Sequence, residues 1–89
     1  MEKRIIQDKE EVRQLIISVI LSQKEEFTMA KIVEKVIENE IFNRNICSTV
    51  ELIEKVSEIL DVLVEVGAIK GETNFASNGT ERFKVSYIT

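Results

Sequence analysis

The chain is expected to fold as a mainly α domain of three helices closed by a C-terminal β-hairpin. Three observations carry that expectation. Three apolar series repeat at helical spacing, each introduced by a side chain able to cap a helix. Gly67 follows the last of them, where a left-handed C-terminal cap is wanted. Beyond Gly67 the apolar period changes from helical to alternating, the mark of strands with one buried face.

Taken in order, Asp8 with Glu11 makes a capping-box pattern ahead of Val12, Leu15, Ile16, Val19 and Ile20, which predicts a first helix from about Lys9 to Gln23. Phe27 suits an extended residue. Thr28 can cap a second helix whose inward stripe is Met29, Ile32, Val33, Val36, Ile37 and Ile41, with Lys31, Glu34, Lys35 and Glu38 on its polar face. Ser48 with Glu51 is the clearest capping box in the chain. It opens a long third helix with Leu52, Ile53, Val56, Ile59, Leu60, Leu63 and Val66 inward. In the hairpin, Ile69, Thr73 and Phe75 alternate on one strand, and Phe83, Val85 and Tyr87 alternate with Arg82, Lys84 and Ser86 on the other. Asn78-Gly79 normally signals a two-residue turn, which would pair Phe75 with Arg82 and set the two apolar rows on opposite faces. A three-residue loop of Asn78, Gly79 and Thr80 pairs Phe75 with Phe83 and Thr73 with Val85 instead. A slip of one residue flips every side chain, so the odd register is the one that buries a single face.

Eighty-nine residues suit one domain, with an arm over 1–7, a helical core over 8–67 and the hairpin over 68–89. Hydrophobic residues at 44% and charged residues at 31% give a globular balance. Cys47 is the single cysteine and cannot form an internal disulfide; between Ile46 and the Ser48 cap it is expected to be buried and inert. No stretch approaches the ~20 apolar residues that cross a bilayer, and the apolar run behind Met1-Glu2-Lys3-Arg4 is broken at once by Gln7 to Glu11. A cytoplasmic protein is the expectation. Catalysis is not expected: histidine is absent, one cysteine cannot build a zinc site, and Gly67, Gly71 and Gly79 lack the spacing of a phosphate-binding loop. The acid pairs Glu10-Glu11 and Glu25-Glu26 are sequence neighbours, which do not face one another on a helix. No cofactor or metal is implied.

Helix, extended piece, helix, helix, hairpin is an order that resembles the winged helix-turn-helix superfamily. The resemblance runs from Asp8 to Ile88, and its most telling segment is Leu60 to Lys70, where Val66-Gly67-Ala68-Ile69 passes directly into the hairpin. One departure stands out: the eight residues from Glu40 to Cys47 are more than the three or four of a tight helix-turn-helix. An extra turn of helix there would change how the third helix is presented. The resemblance implies a three-helix winged-helix architecture and a DNA-binding regulator of transcription, its third helix in the major groove and its wing on adjacent backbone. Carried onto this chain, the reading residues are Thr49, Glu51 and Lys55, with Arg44 and Asn45 just before them. The wing contacts are Asn78, Arg82 and Lys84, of which Arg82 and Lys84 share an outward face in the odd register.

Charge argues the other way. Between Ser48 and Val66 the acids Glu51, Glu54, Glu58, Asp61 and Glu65 face a single base, Lys55, so this helix alone carries a charge equal to the whole chain's −4. Phosphate neutralisation wants a basic footprint. Any amphipathic surface helix shows a solvated charged face, and that is the plainest reading of these acids. The sharper one is an interaction module that meets a basic protein partner through Glu58, Asp61 and Glu65. A second surplus is apolar. Ile17 and Leu21 lie off the first helix's main stripe, Ile5 and Ile6 precede its cap, and Val62 sits among acids. Ile5, Ile6, Ile17 and Leu21 are therefore expected to form a homodimer contact. The competing reading folds Ile5 and Ile6 back on the domain's own core.

Overall fold

The computed structural model describes residues 5–71 and 85–89. Three helices form where the caps place them: α1 over Lys9–Leu21, α2 over Met29–Ile37 and α3 over Thr49–Glu65. Each begins with a side chain that accepts a hydrogen bond from an orphan backbone N–H. Asp8 Oδ1 accepts from Glu11 N–H at 2.9 Å, Thr28 Oγ1 from Lys31 N–H at 3.3 Å and Ser48 Oγ from Glu51 N–H at 3.2 Å. Their apolar stripes converge on one core. Val12, Ile16 and Ile20 enter it from α1, Ile32, Val33 and Val36 from α2, and Leu52, Val56, Ile59 and Leu60 from α3. No polar or charged side chain among the described residues is buried, so the core gains burial energy without desolvating any charge.

Helix ends differ from expectation at three places. α2 stops at Ile37, so Ile41, expected on its inward stripe, lies in the connection that follows and is partly buried. α1 stops at Leu21, short of Gln23, because Ser22 Oγ and Gln23 Nε2 both turn back onto the Val19 carbonyl at 2.8 Å. Val66, expected inward, is 69% exposed. It is the residue that caps α3, one place beyond the last helical residue, where the chain already turns. The turn itself is a Schellman motif: Ala68 N–H reaches the Leu63 carbonyl at 2.9 Å, and Gly67 N–H reaches the Val64 carbonyl at 3.1 Å. Gly67 takes φ +82°, the left-handed value that the motif demands and that a Cβ would penalise.

A small antiparallel sheet closes the core. β1 (Phe27–Thr28) pairs with β2 (Ser86–Tyr87), with Phe27 opposite Tyr87 and Thr28 opposite Ser86. On the other side of this C-terminal segment, Lys70 and Ile88 exchange both backbone hydrogen bonds, at 2.7 and 3.0 Å. The segment thus lies between residues 27–28 and residue 70. The pairing of Lys70 with Ile88 belongs to the odd register; the pairs expected further out, Phe75 with Phe83 and Thr73 with Val85, and the loop Asn78, Gly79 and Thr80, lie outside the described residues. The same register puts Gly71 opposite Tyr87. A Cβ on Gly71 would fall inside van der Waals distance of the Tyr87 ring, which also stacks with Phe27 at 5.9 Å between centroids. Glycine is needed here for room, so that an aromatic ring can lie over the strand.

The arm corrects the dimer expectation for Ile6. Its side chain is 1% exposed, within the domain's own core. Its N–H donates to the Ile41 carbonyl at 2.9 Å, and its carbonyl accepts from Asn43 Nδ2 at 3.3 Å. The long α2–α3 connection supplies both partners. It holds no extra turn of α-helix. It is built from two successive asparagine turns, in which Asn39 Oδ1 accepts from Ile41 N–H and Asn43 Oδ1 from Asn45 N–H. Each is closed by a backbone bond, Phe42 to Asn39 and Ile46 to Asn43, both at 3.1 Å. The added length is thus a clamp for the arm.

Candidate interaction face

The helical period of α3 sorts its side chains into three sectors. Leu52, Val56, Ile59 and Leu60 face the core. Glu54, Glu58, Asp61 and Glu65 follow one another at intervals of four, three and four residues, which aligns them along the opposite side of the helix. Glu54, Glu58 and Glu65 are exposed and Asp61 is partly so. Between these faces, Glu51 turns toward α1, where its carboxylate meets Lys9 Nζ at 3.0 Å. The hydrogen bond and charge of Lys9 hold the Glu51 carboxyl below its ordinary range, helped by the Ser48 cap, and Glu51 in turn raises the Lys9 ammonium. Both groups are open to solvent, so the pair registers the adjacent N-termini of α1 and α3 more than it stabilises them.

Of the residues expected at a DNA contact, Arg44 and Asn45 are exposed in the second asparagine turn, and Thr49 is exposed in the first turn of α3. Lys55 is only partly exposed, and Glu51 is engaged by Lys9. Val50, which the sequence reading did not single out, is 66% exposed beside them. Asn78, Arg82 and Lys84 lie outside the described residues. The first turns of α3 present Thr49, Val50 and Glu54 outward, with Lys55 partly exposed beside them and Arg44 exposed just ahead of the helix. Of the expected dimer contact, Ile5 is 50% and Leu21 51% exposed, Ile17 is half-buried, and Ile6 is enclosed.

A second feature lies on the flank of α3 that faces α2. Ala30, Val33 and Ile37 from α2 and Ile53 from α3 line a groove of about 380 Å³, with Glu34 and Glu38 along its α2 side. Ile37 and Ile53 read in sequence as core residues, and the structure places them at the edge of the core, partly exposed. The available signal was Ala30: a small residue between Met29 and Lys31, one turn before Glu34, leaves an opening that larger side chains would fill.

The remaining chemistry is spare. Burial pushes the Cys47 thiol up from its ordinary value, and Glu51 adds to that shift. A buried, protonated thiol is a poor nucleophile. Among the described residues no group of three metal-binding side chains converges, and no helix is long and apolar enough to cross a membrane. Comparison with protein-family models, with curated proteins and with solved structures gives no match for this chain.

Proposed function

We propose that this chain is a winged-helix interaction module that binds a basic protein segment through the outward acidic face of α3. The winged-helix part of the reading is supported by element order and by a C-terminal segment lying between residues 27–28 and residue 70. The observation that carries the function is the stripe of Glu54, Glu58, Asp61 and Glu65, aligned along the side of α3 opposite the core. Such a face attracts cationic partners and speeds encounter with them, and it repels phosphate backbone. The test is fluorescence anisotropy with a labelled lysine-rich peptide. Binding should weaken steeply on Glu58→Lys with Glu65→Lys and hold when Glu10 and Glu25, away from α3, are reversed instead. Equal loss from both pairs would mean that only net charge matters.

DNA binding by the same fold is the second reading, favoured by the exposure of Arg44 and Asn45 just ahead of α3. Titration with mixed duplex DNA at low and near-physiological salt decides it: binding that weakens steeply with salt and falls on Arg82→Ala with Lys84→Ala would replace the first reading. Dimerisation through Ile5, Ile17 and Leu21 is a separate proposal that rests on the half-exposed Ile5 and Leu21. A monomer by light scattering at high micromolar concentration would exclude it.

A further inference from the structure

The groove between α2 and α3 has an apolar floor and an acidic border. Ala30, Val33, Ile37 and Ile53 form the floor, and Glu34 and Glu38 stand one turn apart on the α2 side. On the α3 side the period carries the surface from Ile53 to Val50, three residues earlier and 66% exposed, and then to Glu54 on the outward stripe. Lys31 and Lys35, three residues before Glu34 and Glu38, also line a different concavity of α2, shared with Ser22 to Thr28. Val50 adds nothing to the fold by standing exposed, and Ile53 is only partly covered beside Glu34 and Glu38.

From this we infer that the groove receives a short amphipathic helix of a basic partner, its aliphatic side chains on the floor and its lysines or arginines against Glu34, Glu38 and Glu54. This rests on the acidic-face reading above and gives it a shape: the partner segment is helical, and it is held between α2 and α3 rather than on α3 alone. An aliphatic row at i, i+4 and i+7 matches a floor made by two neighbouring helices. Charge complementarity selects this occupant over a second copy of the chain, which carries a net charge of −4 and would bring like charge to the acidic border.

The experiment uses two labelled peptides of identical leucine, lysine and alanine composition, one patterned as an amphipathic helix and one scrambled, with the full chain labelled with ¹⁵N. The patterned peptide should bind at least about tenfold more tightly than the scramble, as one buried aliphatic anchor would give, and should shift the amide signals of Ala30, Ile37 and Ile53. Ala30→Arg, on an exposed helical site that tolerates arginine, should erase that preference while circular dichroism stays unchanged. Equal binding of both peptides, lost on Glu58→Lys with Glu65→Lys, would overturn the groove and leave the acidic-face reading standing. No binding of either peptide would overturn both. Self-association abolished by Ala30→Arg would make the occupant a second copy and overturn the inference as stated.

Discussion

Replacing Ile6 with alanine should cost more than its position in an N-terminal arm suggests. The side chain is 1% exposed, and the backbone on either side of it is tied to Ile41 and Asn43. Truncation removes three carbons from the core, roughly 2.4 kcal/mol at ~0.8 kcal/mol per buried carbon. A residual cavity would add to this, though an arm can settle inward more easily than a helix, so the lower half of the ~2–5 kcal/mol range is expected. Against a total of about 5–13 kcal/mol for a chain of this length, that is roughly a fifth to a half of the stability. Urea unfolding followed by circular dichroism should show the midpoint falling by about 1–2 M for a slope near 1.5 kcal/mol/M. Ile5→Ala, at a half-exposed neighbour, should move it little. The loss should be the same at low and high protein concentration. A midpoint unmoved by Ile6→Ala would refute the docked arm, and a loss that grows on dilution would return Ile6 to an interface between copies.

Gly67 and Gly71 should fail for different reasons. Gly67→Ala meets no atom within 4 Å and should cost about 1 kcal/mol for its φ of +82° alone, whereas Gly71→Ala must displace the buried Tyr87 ring and should cost about 1–3 kcal/mol and alter the near-ultraviolet dichroism of that tyrosine. An unaltered tyrosine signal in Gly71→Ala would mean that the ring does not lie over the strand. Ser48→Ala removes the acceptor for Glu51 N–H at the start of α3 and should destabilise by about 1 kcal/mol in thermal or urea unfolding. Cys47 should react with a thiol reagent only as the protein unfolds, because burial both hides the thiol and keeps it protonated; rapid native-state labelling would contradict its place in the core.

What the sequence revealed was whatever rests on local chemistry. The caps at Asp8, Thr28 and Ser48 and the αL position of Gly67 are each set by a few adjacent residues, so their physics is written in those residues. Contacts between distant segments were less legible. Nothing near Asn43 announces that its amide will hold the carbonyl of Ile6, thirty-seven places away, and nothing near Gly71 announces Tyr87. Ile6 looked like a spare apolar residue because its cover is supplied by that distant turn. Ile37 and Ile53 misled in the opposite sense. Periodicity assigns a direction from the helix axis, and it does not say whether a neighbour exists in that direction; here the small side chain of Ala30 leaves the gap. The same limit applies to the acidic face, where spacing gives the alignment of Glu54, Glu58, Asp61 and Glu65 but names no partner.

That alignment can be separated from stability. Like charges three or four places apart on a helix repel by about 0.2–0.5 kcal/mol per pair, and the stripe contains three such steps, Glu54 to Glu58, Glu58 to Asp61 and Asp61 to Glu65. Glu58 takes part in two of them. Glu58→Lys turns both into attractions, with Glu54 on the favourable N-terminal side, while bringing a like charge near Lys55. The substitution should therefore leave stability unchanged or raise it by a few tenths of a kcal/mol, read as a urea midpoint equal to or above that of the parent chain. If it also abolishes binding of the lysine-rich peptide, the loss belongs to recognition and not to folding. Reduced stability with peptide binding intact would reverse the assignment, making Glu58 part of the scaffold and the stripe an ordinary solvated face.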